Sequence, residues 1–206
     1  DGIKNIAAKE VKQYAAALLH GYKLINQHQL LTSNHILEIQ AILEPNKSGF
    51  RKLMGTALKN STGEVVYLPP QNPQDIIELM SNLDKYINLP ELHDVDPLIK
   101  MAIIHHQFES IHPFYNGNGR TGRIINILYL VYMQLLDIPV LYLSRYINQN
   151  KADYYRLLQT VRVGNSWNEW VIWMLTGVSV TSRQTVELIR QIKQLMNDFQ
   201  QKIQMD

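Results

Sequence analysis

An apolar segment near the middle of the chain constrains the fold more than any other feature. Residues 120–136 are apolar on nearly every face of a helix, so that helix has to be covered on all sides. The apolar stretch continues to residue 143 but is broken by Asp137 and Pro139, whereas a membrane span needs about 20 uninterrupted apolar residues. The segment therefore predicts a central, buried helix of a globular protein and no membrane-spanning segment.

Most of the remaining chain also shows helical periodicity. Apolar residues recur at the spacing of amphipathic helices over residues 9–27, 30–43, 75–87, 97–110, 148–163, 167–175 and 183–203. Residues 140–143 fit a short extended segment or a turn. The pattern predicts an all-α helical bundle that forms one domain over residues 1–206, with its core at about residues 97–165.

One region departs from the helical pattern. Residues 46–73 contain three glycines and three prolines, and they show little helical periodicity. Within them, Ser61, Thr62 and Gly63 form a turn sequence, and residues 65–68 are β-branched and aromatic. We predict a short β-hairpin at about residues 61–70, closed by two prolines, which forms a flap on the helical domain.

Composition excludes several classes of protein. The net charge of +2 is too small to favour nucleic acid or an anionic membrane as a partner. The absence of cysteine excludes a disulfide scaffold, a thiolate metal site and a cysteine nucleophile, and it fits a cytoplasmic protein. The N-terminus is polar and mixed in charge, so no signal peptide is predicted.

The residues before the central helix combine a histidine, glycines and two arginines. His112 precedes a proline, which disfavours helix at His112 and places it just past a helix end. Gly117 and Gly119 allow the backbone to adopt positive φ or to approach a ligand closely. The central helix then begins near Arg120, and the unpaired N–H groups of a helix start attract anions. Arg120 and Arg123 lie on one face of its first turn, where positive charge is unfavourable unless a negative ligand is bound. We therefore predict a phosphate-binding loop beside a histidine.

Residues 112–123 read HPFYNGNGRTGR and resemble the signature H-x-F-x-(D/E)-G-N-G-R-x-x-R of the Fic family. The matching residues are His112, Phe114, Gly117, Asn118, Gly119, Arg120 and Arg123. The resemblance implies a Fic-type helical bundle that transfers AMP from ATP to a hydroxyl side chain of a target protein. It also implies the roles of the matching residues. The histidine is the base, the loop and its asparagine hold the phosphates, and the arginines bind the outer phosphates.

The resemblance extends more loosely to two tyrosines. In the family the hairpin flap orients the target protein, and a tyrosine after the motif lies near the nucleoside. Tyr67 on the predicted hairpin and Tyr154 in a later helix are the corresponding residues, and both also fit simple packing. The family's inhibitory pattern, (S/T)-x-x-x-E-(G/N), does not occur in this sequence, so that segment either precedes Asp1 or regulation differs. Exposed apolar faces are compatible with a homodimer.

Asn116 departs from the signature, because the family has an acidic residue there that holds Mg²⁺. An asparagine offers a carbonyl oxygen without charge, whereas Mg²⁺ is usually bound by one or two carboxylates together with phosphates. We expect weakened transferase activity with ATP binding partly retained. The alternatives are a catalytically impaired nucleotide-binding interaction module and a hydrolase that removes AMP.

Two other interpretations of the same region are disfavoured. Residues 117–122 match G-x-G-x-x-G, with Asp137 following, but a helical pattern precedes them where a dinucleotide-binding fold needs a strand. His105, His106, Glu109 and His112 could suggest a metal cluster. Only the first and third of these are neighbours on one helix face, so polar residues near a cleft are the preferred interpretation.

Overall fold

The computed structural model describes residues 6–60, 62–89 and 94–205. This part of the chain contains eight α-helices and one two-stranded antiparallel sheet, so the predicted all-α class with a short hairpin is confirmed. The elements are α1 (Ile6–His28), α2 (Ser33–Leu43), β1 (Leu58–Lys59), β2 (Val65–Tyr67), α3 (Pro73–Asn88), α4 (Pro97–Ile111), α5 (Asn118–Tyr132), α6 (Leu143–Gln149), α7 (Lys151–Gly164) and α8 (Trp167–Met205).

The apolar helix predicted to be central, α5, is central. It packs against α1, α2, α4 and α6, and its side chains are buried along almost its whole length. Ile124, Ile125 and Leu128 are fully buried, as expected of a helix that is apolar on nearly every face. The helix α4 lies beside it and is covered in turn by α3 and α8. The end of α4 and the start of α5 are therefore held by the core, while Tyr115 and Asn116 of the loop that joins them are exposed.

Local capping explains where three of the helices begin. The Thr32 side chain accepts a hydrogen bond from the His35 N–H at the start of α2. Asn72 caps α3 and Asp96 caps α4, and in both cases a proline follows as the first helical residue. Such caps satisfy N–H groups that have no partner within the helix. The sequence therefore specifies these helix starts locally.

The flap is a small hairpin in which Leu58 pairs with Tyr67 and Lys59 pairs with Val65. Its turn is closed by the Asn60 side chain, which accepts hydrogen bonds from the N–H groups of Thr62 and Glu64. The first strand begins earlier than the predicted residues 61–70, and Ser61 of the predicted turn lies outside the described residues.

The structure corrects the predicted helices in the C-terminal third. The segment predicted as one helix over residues 148–163 is preceded by a separate short helix, α6, and the break at Asn150 divides them. The two helices predicted at residues 167–175 and 183–203 are one helix, α8. Thr176 and Thr181 lie in the joining segment, where their hydroxyls donate to carbonyls one turn earlier, and packing of Gly177 against α6 accounts for its helical conformation. Among the described helices, none is long and apolar enough to cross a membrane.

Candidate functional site

The site lies where α4 ends and α5 begins. Past the end of α4, His112 takes the left-handed conformation, with φ 47° and ψ 57°, and its N–H donates to the Phe108 carbonyl. This conformation is common just past a helix end but is less favourable for a residue with a Cβ than for glycine, so contacts from its surroundings help to hold it. Arg51 supplies that support, because its Nε donates to the His112 carbonyl at 2.8 Å and its own N–H donates to the Pro113 carbonyl at 2.9 Å.

The His112 imidazole is partly buried and neutral. Its Nδ1 is enclosed and has no hydrogen-bond partner among the described residues. Burial, together with the charges of Arg51 and Arg162, lowers the pKa of His112 from its usual 6.5 to about 4, and the Glu109 carbonyl opposes this shift. At neutral pH the ring is therefore available as a proton acceptor.

The loop after His112 is fixed by an asparagine and a phenylalanine. The Asn118 side chain accepts from the Phe114 N–H at 3.0 Å and donates to the Phe114 carbonyl at 2.8 Å. Phe114 is fully buried and stacks on Phe50 with 5.6 Å between ring centroids. The structure thus places the Asn118 side chain inside the loop, with its oxygen and nitrogen both engaged, so that it braces the backbone.

The start of α5 is open to an anion. The residue before the helix, Gly117, has φ 83° and no side chain, so no side-chain hydrogen bond caps the first turn. The Arg123 guanidinium lies against Gly119, whose added Cβ would be 3.1 Å from its Nη1. The Arg123 Nε is buried without a hydrogen-bond partner among the described residues. A guanidinium whose buried Nε has no partner among the described residues, beside an uncapped helix start, has the chemistry of a phosphate site.

The other predicted arginine already has an acidic partner. Arg120 forms an ion pair with Glu44, which follows α2, and its Nη1 lies 3.9 Å from Glu10 of α1. An added Cβ at Gly117 would be 3.1 Å from the Glu44 Cγ, so Glu44 lies directly against the glycine loop. A phosphate that binds Arg120 has to compete with this carboxylate.

A second acidic side chain lies beneath the loop. The Glu109 carboxyl is buried, and its Oε1 has no hydrogen-bond partner among the described residues. It fills the space beside Gly122, where an added Cβ would be 2.8 Å from this oxygen. Burial raises the pKa of Glu109 from 4.5 to about 7, although Arg123 and Arg162 act in the opposite direction. The carboxyl is therefore partly protonated at neutral pH.

The histidines of the disfavoured metal cluster have other partners. His105 Nε2 hydrogen-bonds the Tyr154 hydroxyl at 2.9 Å, and His106 Nε2 lies 3.2 Å from the Leu158 carbonyl. Among the described residues, no group of three or more His, Asp or Glu side chains could hold a metal ion. Asn116 is exposed and contributes one neutral oxygen at most. These residues do not fit a Mg²⁺ ion held by the protein itself.

Neither of the two tyrosines hydrogen-bonds residues 113–119 among the described residues. Tyr154 is 4% exposed, and its ring packs beside Trp170 and Trp173 in the core. Tyr67 donates from its hydroxyl to the Ser110 carbonyl at 3.0 Å, which joins the flap to the last turn of α4. The Arg162 guanidinium lies 3.8 Å from the centroid of the Tyr67 ring. Tyr67 therefore contacts the last turn of α4, next to His112. Tyr154 contacts α4 through the side chain of His105.

Three residues of the site were missed in the sequence. Arg51 and Glu44 lie in or beside the glycine- and proline-rich region, where no periodicity marks a buried position. Arg162 offered a weak signal, because it follows Leu158 by four residues on the buried side of α7. Its Nε donates to the Ser110 hydroxyl, and its Nη2 donates to the Glu109 carbonyl.

The site thus combines a neutral histidine at a helix end with a glycine loop and an uncapped helix start that carries two arginines, an arrangement suited to a phosphate-type anion. The Fic/DOC family model matches residues 30–130, and the chain belongs to this family. Curated relatives include Protein adenylyltransferase fic-1 of Caenorhabditis briggsae, 27% identical over 150 residues, which are 69% of this chain and 28% of that protein. Protein adenylyltransferase Fic of Aedes aegypti is 28% identical over 150 residues, which are 69% of this chain and 27% of that protein.

Solved structures share the fold. A Fic family protein from Desulfovibrio desulfuricans G20 superposes with a TM-score of 0.71 at 24% identity, over 85% of this chain and 53% of that one. Fic-1 from C. elegans (residues 134–508) gives a TM-score of 0.70 at 21% identity, over 93% of this chain and 55% of that one. The chain spans only about 28% of the length of the curated relatives, and about half of these solved chains.

Proposed function

We propose that the chain is a nucleotidyltransferase that moves AMP from ATP to a hydroxyl side chain of a target protein. The observation that carries this proposal is the neutral His112 beside a glycine loop, whose uncapped helix start and unpaired Arg123 suit a polyphosphate. The relatives named adenylyltransferase share the motif region, which supports the same reaction. ATP is the substrate in this proposal.

The proposed reaction is an in-line displacement at the α-phosphorus of ATP. The target hydroxyl oxygen forms a bond to this phosphorus, and the bond from phosphorus to the bridging oxygen of the β-phosphate breaks, so that pyrophosphate leaves. The neutral His112 takes the hydroxyl proton; because Nδ1 is enclosed, Nε2 is the nitrogen that accepts it.

The loop stabilises the phosphates in this reaction. Backbone N–H groups at the start of α5 stabilise charge on the α-phosphate, and Asn118 contributes by fixing the loop from inside. Arg123 and Arg120 bind the outer phosphates, and Arg120 exchanges Glu44 for them.

In this proposal Mg²⁺ binds to the protein together with ATP. Mg²⁺ bound to ATP would neutralise phosphate charge, with Asn116 offering one uncharged oxygen at the position of the family's acidic ligand. Because the described residues do not form a site for this ion by themselves, the steps above are assigned only to residues of the chain and to the nucleotide.

Restoring the carboxylate tests both the position and the reaction. Asn116→Asp should increase Mg²⁺-dependent AMP transfer by about tenfold or more, because a carboxylate is the ligand that Mg²⁺ prefers. The measurement is mass spectrometry of the purified protein, and of lysate proteins, after incubation with ATP and Mg²⁺. Asn168→Asp in the exposed first turn of α8 is a matched control that adds the same charge away from the loop and the flap. An unchanged rate in Asn116→Asp would contradict this account of the position.

The proposed protein target binds at the flap. The β2 strand exposes Val65 and Val66, and the Tyr67 hydroxyl anchors the strand to the last turn of α4 near His112. A target segment that adds as a further strand would therefore pass close to the imidazole. The proposed location of this reaction is the cytoplasm.

A second copy of the chain is a further proposed partner. The C-terminal half of α8 carries apolar residues at alternating intervals of three and four, and each is about half exposed or more: Ile189, Ile192, Met196, Phe199 and Ile203. This spacing is typical of a coiled-coil seam, so two such faces could bury their apolar residues against each other in a dimer. Light scattering should give the mass of two chains, and Ile192→Asp should reduce it to one, whereas Arg190→Asp on the polar face should not. A wild-type chain that is monomeric would exclude this pairing.

The exposed, uncharged Asn116 favours one alternative, a nucleotide-binding interaction module without turnover. Tight ATP binding without any transfer, even in Asn116→Asp with Mn²⁺, would select it. A hydrolase that removes AMP uses the same cleft, and product analysis separates it from a transferase.

A further inference from the structure

A buried arginine outside the glycine loop connects the flap to the residue that carries the proposed base. Arg51 is 1% exposed; its Nε and Nη2 are directed at backbone carbonyls of two separate segments, and its buried Nη1 has no hydrogen-bond partner among the described residues. At the end of α4, its Nε donates to the His112 carbonyl at 2.8 Å and its Nη2 lies 3.4 Å from the Ile111 carbonyl. The same Nη2 donates to the carbonyl of Pro70, where the flap ends.

The backbone around Arg51 reinforces this connection. Phe50 forms an isolated antiparallel bridge with Phe114, and the Arg51 N–H donates to the Pro113 carbonyl. Residues 50–51, which precede the flap, therefore run alongside residues 113–114, which follow His112. A cation at this point is also favoured because the carbonyls at a helix C-terminus carry partial negative charge.

The conformation of His112 explains why such support is needed. Its φ of 47° is unfavourable for a side chain that carries a Cβ, and the left-handed turn determines the direction in which the imidazole leaves the backbone. Without the donors of Arg51, the last carbonyls of α4 would lose the partners that hold this turn. The base would then sample other directions.

The other strand of the flap is held at the same helix end. Tyr67 donates to the Ser110 carbonyl, and Arg162 stacks on its ring while donating to the Ser110 hydroxyl and the Glu109 carbonyl. Both sides of the flap are thus joined to the last turn of α4. Arg51 is the only one of these side chains that hydrogen-bonds His112 itself among the described residues.

We propose that Arg51 is a positioning residue that couples the flap to His112, so that the segment presenting the target and the imidazole that deprotonates it keep one relative position. This inference rests on the proposed function for its kinetic consequence. Its structural consequence does not: the orientation of His112 and the position of the flap should depend on Arg51 whether or not AMP is transferred.

The test compares Arg51→Met and Arg51→Lys with wild type, and uses Arg190→Met on the exposed face of α8 as the matched control. In both Arg51 variants we expect kcat for AMP transfer to fall about 10- to 100-fold while KM for ATP changes less than about threefold, because small misplacements of a catalytic group are costly. Arg51→Lys keeps the charge but not the forked donors, so it should recover little of the loss.

Nuclear magnetic resonance supplies a readout that needs no turnover. In Arg51→Met, the His112 ring should titrate at higher pH than in wild type, because one of the charges that keeps it neutral is removed. The amide signals of residues 65–70 should shift together with those of residues 111–113 in both Arg51 variants. Folded variants in which the ring titration and these amide signals match wild type would overturn the coupling. Failure of both variants to fold would also overturn it, in favour of a purely structural arginine.

The kinetic and resonance measurements test the coupling by Arg51 and the proposed AMP transfer separately. If wild type transfers no AMP, the resonance data still decide whether Arg51 positions His112. If AMP is transferred and the Arg51 variants retain wild-type kcat, the proposed function stands and the coupling fails.

Discussion

Replacing His112 by alanine is expected to lower AMP transfer by about 10²- to 10⁴-fold, the usual contribution of a general base. ATP binding should stay within about threefold of wild type, because the phosphates are held by the loop and the arginines and not by the imidazole. The measurement is the initial rate of labelled AMP incorporation, with calorimetry of ATP binding to both proteins.

His20→Ala is the matched control for this variant. His20 is partly exposed on α1, its ring pairs with Glu38, and it makes no hydrogen bond or ion pair with the loop among the described residues. It should transfer AMP at the wild-type rate. If His112→Ala also transferred at that rate, the assignment of the base would be wrong. If it lost ATP binding as well, the histidine would hold the nucleotide instead of the proton.

The same imidazole sets the expected pH dependence. Because the pKa of His112 in the folded protein is lowered to about 4, the proton-accepting form is present above that value and is lost as pH falls through it. Transfer should therefore show no loss between about pH 8 and pH 6, where an ordinary histidine of pKa about 6.5 would already begin to protonate. Glu109, with a pKa raised to about 7, is the other group beside the site that titrates in this range. Any step near neutral pH should disappear in Glu109→Gln and not in His20→Ala.

The parts of this site that are local in sequence could be predicted from it. Residues 112–123 contain the histidine, the glycines and both arginines within one turn and the start of one helix, so their proximity follows from chain connectivity. The burial of α5 follows equally directly, because an apolar residue on every face leaves no side for water. Helix starts with Asn72 or Asp96 before a proline are specified by capping chemistry alone.

The parts that depend on distant contacts could not be predicted. Arg51 and His112 are 61 residues apart, and Arg120 and Glu44 are 76 residues apart, so no periodicity or motif relates them. The resemblance implies that Asn118 holds the phosphates. The sequence does not show that the side-chain oxygen and nitrogen of Asn118 both hydrogen-bond the backbone of Phe114. In α8, the low helix propensity between residues 175 and 183 suggests a break, but Gly177 packs against Tyr146 there and the helix continues.

Phe114→Ala is expected to destabilise the protein by about 3–5 kcal/mol, the range for removing a buried aromatic ring. Phe114 is fully buried between Phe50 and Phe108, and the Asn118 side chain hydrogen-bonds its backbone N–H and carbonyl. Urea unfolding followed by circular dichroism gives the change in free energy. Tyr155→Ala on α7 removes an aromatic side chain from a position 64% exposed and outside the proposed dimer face, and it should cost less than about 1 kcal/mol.

The effect of Phe114→Ala on ATP binding distinguishes whether the backbone N–H groups of the loop or the arginines bind the phosphates. At low temperature, where the variant remains folded, the loop would lose the anchor that sets the direction of its N–H groups while Arg120 and Arg123 remain in place. If the backbone donors carry the phosphates, ATP affinity should fall about tenfold or more in the folded variant. If affinity is unchanged, the arginines alone bind the nucleotide, and the glycine loop serves only to make room for it.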